Sequence, residues 1–144
     1  MKTNDFFSVA TDGMIRNVCK YVVKQKQERT SIEELLQGII IPKGKTIENI
    51  PYKKPYAYYL WNKINDYLSS HHAGNCLSKS MAMYRLSSIF GWNATIFVCL
   101  PKDTSSMQNG HAYICVEDHF WGIDPSTEYK VVFRFEKDEI QWKH

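Results

Sequence analysis

Residues 76 to 90 constrain the fold more than any other stretch. Leu77, Met81, Tyr84 and Ser88 fall on one stripe of a helix, and Met83, Leu86 and Phe90 on the next, at spacings of three and four. Adjacent apolar stripes predict a buried helix, and Gly91 is its natural C-terminal stop. Ala73-Gly74-Asn75 reads as a turn that delivers Cys76 to the first helical turn. A thiol there meets unpaired backbone N–H groups and the positive end of the helix dipole, which favour the reactive thiolate. A cysteine in an apolar helix is more often a small core residue, so Cys76 needs partners before it reads as a nucleophile.

After Gly91 the period changes from helical to alternating. Ala94 to Leu100 is rich in β-branched and apolar residues and predicts a strand. His111 to Val116 is the next strand, reached through a polar stretch ending in Asn109-Gly110. Glu117-Asp118-His119 makes a tight connection to a strand from Phe120 to Asp124, and Tyr129 to Phe135 gives the last strand of an antiparallel meander. The amino-terminal half is helical. Residues 4 to 27 carry a loose apolar face with an expected break at Asp12-Gly13, and Ser31 with Glu34 is a capping-box pattern. Pro55 is placed to open a helix that runs to Ser70, buried through Tyr58, Leu60, Trp61, Ile64, Tyr67 and Leu68. The basic segment from Pro42 to Pro55 reads as a solvated connection. Helices followed by strands predict an α+β fold.

A chain of 144 residues is one domain, 1–144, with a helical amino-terminal part over 1–54 and a core over 55–144. A net charge of +3 is too weak to indicate nucleic acid as a partner. Cysteines at 19, 76, 99 and 115 show no C-x-x-C spacing, which suggests reduced thiols in a cytoplasmic setting. Cys19, Cys99 and Cys115 fit buried, inert positions. The first residues lack a signal-peptide pattern and no run approaches membrane-spanning length, so no membrane association is expected. No cofactor is implied.

The chemistry comes from the hairpin that joins His111–Val116 to Phe120–Asp124. Counting outward from the Glu117–His119 turn, His111 at the start of one strand and Asp124 at the end of the next lie side by side at one sheet edge. If the Cys76 helix crosses the sheet with its N-terminus at that edge, Cys76, His111 and Asp124 become nucleophile, base and orienter. The thiolate attacks an acyl carbon, the imidazolium protonates the leaving amine, and the carboxylate fixes the ring tautomer. Each residue also has an ordinary explanation. Asp124 before Pro125 can cap a turn, and His111 after Gly110 can be a turn residue. Asn75 either lends an amide to the site or simply shapes the turn. Tyr113 shares the pleat face of His111 and is a candidate site wall, whereas Trp121 points to the core side. His72 is either a substrate contact or a solvated helix end.

Gly74-x-Cys76, then Gly110-His111-Ala112-Tyr113, then Trp121-x-x-Asp124-Pro125 resembles the transglutaminase-like branch of the papain-fold proteins. The resemblance spans residues 55 to 126. It implies a papain-like α+β architecture, with a central nucleophile helix packed on a carboxy-terminal antiparallel sheet. It also implies the roles of Cys76, His111 and Asp124 given above. Within that superfamily, Cys76-Leu77-x-x-Ser80-x-Ala82 with Leu86 and Gly91 is similar to the small leader peptidases of lasso-peptide maturation. That likeness implies a peptide or protein substrate and a leader-recognition partner protein.

Four chemistries fit these residues. A cysteine peptidase cleaves an amide and resolves the thioester with water. A transglutaminase or deamidase passes a glutamine acyl group to an amine or to water through the same intermediate. A non-catalytic peptide-binding module keeps the fold alone. A metal site from His72, Cys76, His111 and Asp124 is disfavoured because Gly74 breaks the helix that would align the first two, so no metal is expected.

Overall fold

Periodic burial builds the helical layer first. The computed structural model of the chain describes residues 12–28, 31–42, 50–70, 75–102, 110–123 and 128–143. Helix α1 (Asp12–Glu28) buries Ile15, Val18, Cys19, Val22 and Gln25, a stripe at steps of three and four. Asp12 and Gly13 both lie within the first turn of this helix, and the residues on the other side of the expected break lie outside the described residues. Helix α2 (Ile32–Gly38) is capped by Ser31, whose hydroxyl accepts from the Glu34 amide at 3.1 Å. The Glu34 carboxylate takes the Ser31 hydroxyl, also at 3.1 Å, so this box closes through two side chains.

Helix α3 (Lys54–Ser70) starts one residue ahead of Pro55. Leu60, Ile64 and Leu68 are fully buried, but Tyr58 is 57% exposed, contrary to its expected place in the core. The stripe that packs is Tyr56-Ala57-Leu60-Ile64-Leu68, and Tyr58 lies off its edge. Helix α4 (Cys76–Phe90) is buried on nearly every side, and Met81, Ala82, Met83, Leu86 and Phe90 have no exposed surface. Its ends obey local rules. The Asn75 side chain accepts from the Ser78 amide at 2.8 Å, and Gly91 closes the helix at φ 79°. No helix among the described residues is long and apolar enough to cross a membrane.

The sheet is five-stranded and antiparallel, with β1 (Ala94–Pro101), β2 (His111–Val116), β3 (His119–Trp121), β4 (Tyr129–Glu136) and β5 (Glu139–Trp142) in the order β3-β2-β1-β4-β5. The expected meander is therefore corrected, because β4 returns to the free edge of β1 instead of pairing with β3. Ile96 and Val98 of β1 are flanked by Ile114 and Ala112 on one side and by Phe135 and Phe133 on the other. Burial on both sides makes β1 the centre of the sheet. Strand β3 is shorter than expected and ends at Trp121, because Gly122 turns the chain at φ 84°. Tyr129–Glu136 is not the last strand; β5 follows it through the Lys137-Asp138 turn.

One face of the sheet packs on α4, which is covered on its far side by α1 and α3. This is an α+β architecture of helices on one face of an antiparallel sheet. Trp92 ties the layers together by donating its indole N–H to the Ile50 carbonyl at 2.7 Å. The other sheet face carries Phe97 stacked on Tyr113, with Phe120 beside both.

Candidate active site

The N-terminus of α4 meets the start of β2, and this contact builds the site. Helix α4 crosses β2 and β1, so its first residue reaches the sheet where β2 begins. The Ala112 amide donates to the Cys76 Sγ at 3.3 Å. Ala112 is small and 3% exposed, which lets the helix start approach the strand closely. Cys76 and His111 line one cavity of ≈ 250 Å³ together with Ile32, Asn75, Val98 and Ala112. Cys76 is half-buried, accessible from that cavity rather than sealed in the core.

The imidazole of His111 is fixed on two sides. Its ring stacks on Tyr129 with centroids 4.9 Å apart and planes 22° from parallel. Its Nε2 lies 2.8 Å from the Gly122 carbonyl oxygen. A carbonyl can only accept, so Nε2 carries the proton and Nδ1 presents its lone pair. That is the tautomer a base needs.

The hairpin that was to align His111 and Asp124 has the required phase, with Ile114 opposite Trp121 and Val116 opposite His119. Asp124 itself lies outside the described residues, as does His72. Asn75 stands at the cavity mouth, its side-chain oxygen engaged as the helix cap. Tyr113 shares the outer pleat face with His111 but stacks on Phe97. Trp121 is 7% exposed and packs beside Trp61.

The other cysteines are poor nucleophiles. Burial pushes the Cys19 thiol up to about 12 and the Cys99 thiol up to about 11, and both are fully buried. Cys115 is half-buried, not buried as its strand pattern suggested, because it lies on the outer face of β2. Its thiol is pushed up by burial and by the neighbouring carboxylates of Asp118 and Glu117. A larger cavity of ≈ 450 Å³ opens beyond Cys115, at the other end of the sheet. Three of its four carboxylates have structural work: Glu117 accepts from the Asn93 amide, Glu136 from Thr95, and Asp138 from Tyr84.

Several site neighbours had no signal in the sequence. Ile32 reaches the cavity from the start of α2, so the amino-terminal part contributes to the site. Lys26, near the end of α1, lies within electrostatic reach of Cys76. Burial lowers its ammonium below the ordinary lysine value, and the negative charge of a Cys76 thiolate draws it back up. Helices α1 and α4 pack together, and the Arg85 guanidinium lies 4.1 Å over the Tyr21 ring. Gly122 did carry a cue, because glycine at a strand end marks a turn.

The chain matches no protein-family model, no curated protein and no solved structure. Its chemistry therefore has to be argued from these residues. A thiol at a helix start and an imidazole line one small cavity, an arrangement that can support nucleophilic chemistry.

Proposed function

We propose that this protein is a cysteine-dependent acyl-transfer enzyme that cleaves a peptide or protein amide. The observation that carries the reading is the seating of the Cys76 thiol against the Ala112 amide, in the cavity that His111 also lines. The order Cys76, His111, Asp124 and its likeness to the transglutaminase-like papain fold support it. Asp124 is included on that sequence likeness alone.

His111 Nδ1 takes the Cys76 proton, and the thiolate sulfur bonds to the substrate carbonyl carbon. The carbonyl π electrons move to oxygen, where the Cys76 and Leu77 backbone N–H groups, which have no acceptor within the helix, meet the developing charge. The imidazolium then gives its proton to the leaving amine as the C–N bond breaks, leaving a thioester. Water, deprotonated by His111, attacks the same carbon, the C–S bond breaks, the imidazolium returns its proton to the departing sulfur, and the acid leaves. If a glutamine side chain is the acyl donor, the identical thioester yields a deamidated or cross-linked product. A leader peptide cut from a precursor, with a leader-recognition partner, is the substrate suggested by the likeness to lasso-peptide peptidases.

The test needs no substrate at first. Iodoacetamide labelling, resolved by site with mass spectrometry, is followed from acidic to alkaline pH in the native protein and in His111→Ala. Cys76 is expected to react fastest and to lose that advantage in His111→Ala. Equal labelling of Cys76 and Cys115, unaffected by the substitution, would leave a non-catalytic binding module as the better account. Products from precursor peptides and glutamine donors then separate cleavage, deamidation and cross-linking.

A further inference from the structure

We propose that the backbone carbonyl of Gly122, held in place by Trp61, orients His111 and fixes its tautomer. The inference rests on the Cys76–His111 reading and adds to it a positioning device that the sequence pattern assigns to a carboxylate.

The geometry has four parts. First, the last described pair between β2 and β3 is Ile114 with Trp121, so the ladder ends immediately before Gly122. Second, Gly122 has φ 84°, a left-handed conformation open to glycine at little cost. That turn ends the strand, and the Gly122 carbonyl receives the imidazole N–H at 2.8 Å. Third, Trp61 closes the other side of Gly122. The Cη2 and Cζ2 atoms of its indole lie 3.4 Å from where a Cβ on Gly122 would stand. Helix α3 thus presses an aromatic edge onto the residue whose carbonyl holds the base. Fourth, Tyr129 covers the face of the His111 ring, so the ring can neither flip nor slide without losing a contact.

The chemical consequence is specific. An acceptor at Nε2 keeps the proton there in the resting enzyme, and Nδ1 is free to take the thiol proton. Once it does, the imidazolium holds a proton on each nitrogen, and the Nε2 proton stays on the ring because an amide oxygen does not accept it. The carbonyl dipole stabilises the cation without a full negative charge. Trp61 touches neither substrate nor ring; it acts through Gly122 and is a positioning residue.

Gly122→Ala strains the backbone and can fail to fold, so the test uses Trp61. Nitrogen-15 NMR of the histidine ring reads the tautomer directly, without activity, in the full-length protein. The native ring should be Nε2-protonated above its titration. Trp61→Ala should give a tautomer mixture and slow Cys76 alkylation on the order of 10- to 100-fold, and Trp61→Phe should restore both. A native ring protonated at Nδ1, or a pure Nε2 tautomer retained in Trp61→Ala, overturns the proposal. If instead the tautomer behaves as expected while His111→Ala leaves Cys76 reactivity untouched, the positioning stands and the catalytic reading fails.

Discussion

Asn75 performs two tasks that a pair of substitutions can separate. Its side-chain oxygen caps α4 through the Ser78 amide at 2.8 Å, and it stands at the mouth of the Cys76 cavity. Asn75→Ala removes the cap and should cost about 1 kcal/mol of stability, seen as a lowered urea midpoint with unchanged slope. Asn75→Asp keeps a cap oxygen and suits the helix dipole, so stability should stay within about 0.5 kcal/mol of the native value. It also sets a negative charge next to the thiol. At a separation of about 6 Å and an effective dielectric of about 20 to 80, the repulsion on a thiolate is roughly 0.7 to 2.8 kcal/mol. Because residue 75 is exposed, the lower half of that range applies, and Cys76 alkylation should slow by about 3- to 20-fold in low salt. Added salt should return most of the loss. The assay is pseudo-first-order labelling of Cys76 beside a urea titration of each variant. An Asn75→Asp protein that folds normally and labels at the native rate, regardless of salt, would refute the view that Cys76 reacts as an anion. Native stability in Asn75→Ala would refute the cap.

Two other outcomes follow from charge and burial. Cys19 is held protonated by burial, with its thiol raised from 9.0 to about 12, so its contribution is intact below the ordinary thiol value and is lost as pH rises toward the folded value. Denaturant midpoints should fall between about pH 9 and 11, with Cys19 supplying up to about 1.4 kcal/mol per pH unit, and Cys19→Ala should flatten that slope; an unchanged slope would mean that Cys19 is not buried in solution. Lys26→Met keeps the stem but removes a cation near Cys76, so Cys76 labelling should slow a few-fold and lose part of its salt sensitivity, while unaltered labelling would show that the ammonium does not act on the thiol.

Where local rules decide an element, the sequence reading and the structure agree closely. Asn75 and Gly91 bracket α4 because a cap oxygen and a left-handed glycine are requirements of the chain ends themselves. Strand β2 begins and ends where its alternation does, with Ala112, Ile114 and Val116 inward. The fifth strand has no turn signal before it in the sequence, because Lys137-Asp138 makes its turn with two positive-φ residues, at 51° and 62°, and without the glycine or asparagine that usually announces one. Strand order was hidden for a different reason. Adjacency in sequence suggests a meander, whereas the apolar row of β1 is covered on both edges, by β2 on one and by β4 on the other.

The site divides along the same line. Cys76 at a helix start and His111 at a strand start are legible because each position is set by its own element. Their shared cavity is a product of packing: it needs α4 to cross β2 at Ala112, and no local pattern contains that crossing. Lys26 and Ile32 come from helices whose sequences carry no catalytic motif, so only the tertiary fold brings them near the thiol. The Gly122 carbonyl is the sharpest case. Side-chain motifs search for a carboxylate to hold the imidazole, but every residue has a carbonyl, and which one faces the ring depends on a single backbone angle and on the aromatic ring behind it. An imidazole in this fold can therefore take its hydrogen-bond partner from the main chain, where a motif made of side chains has nothing to record.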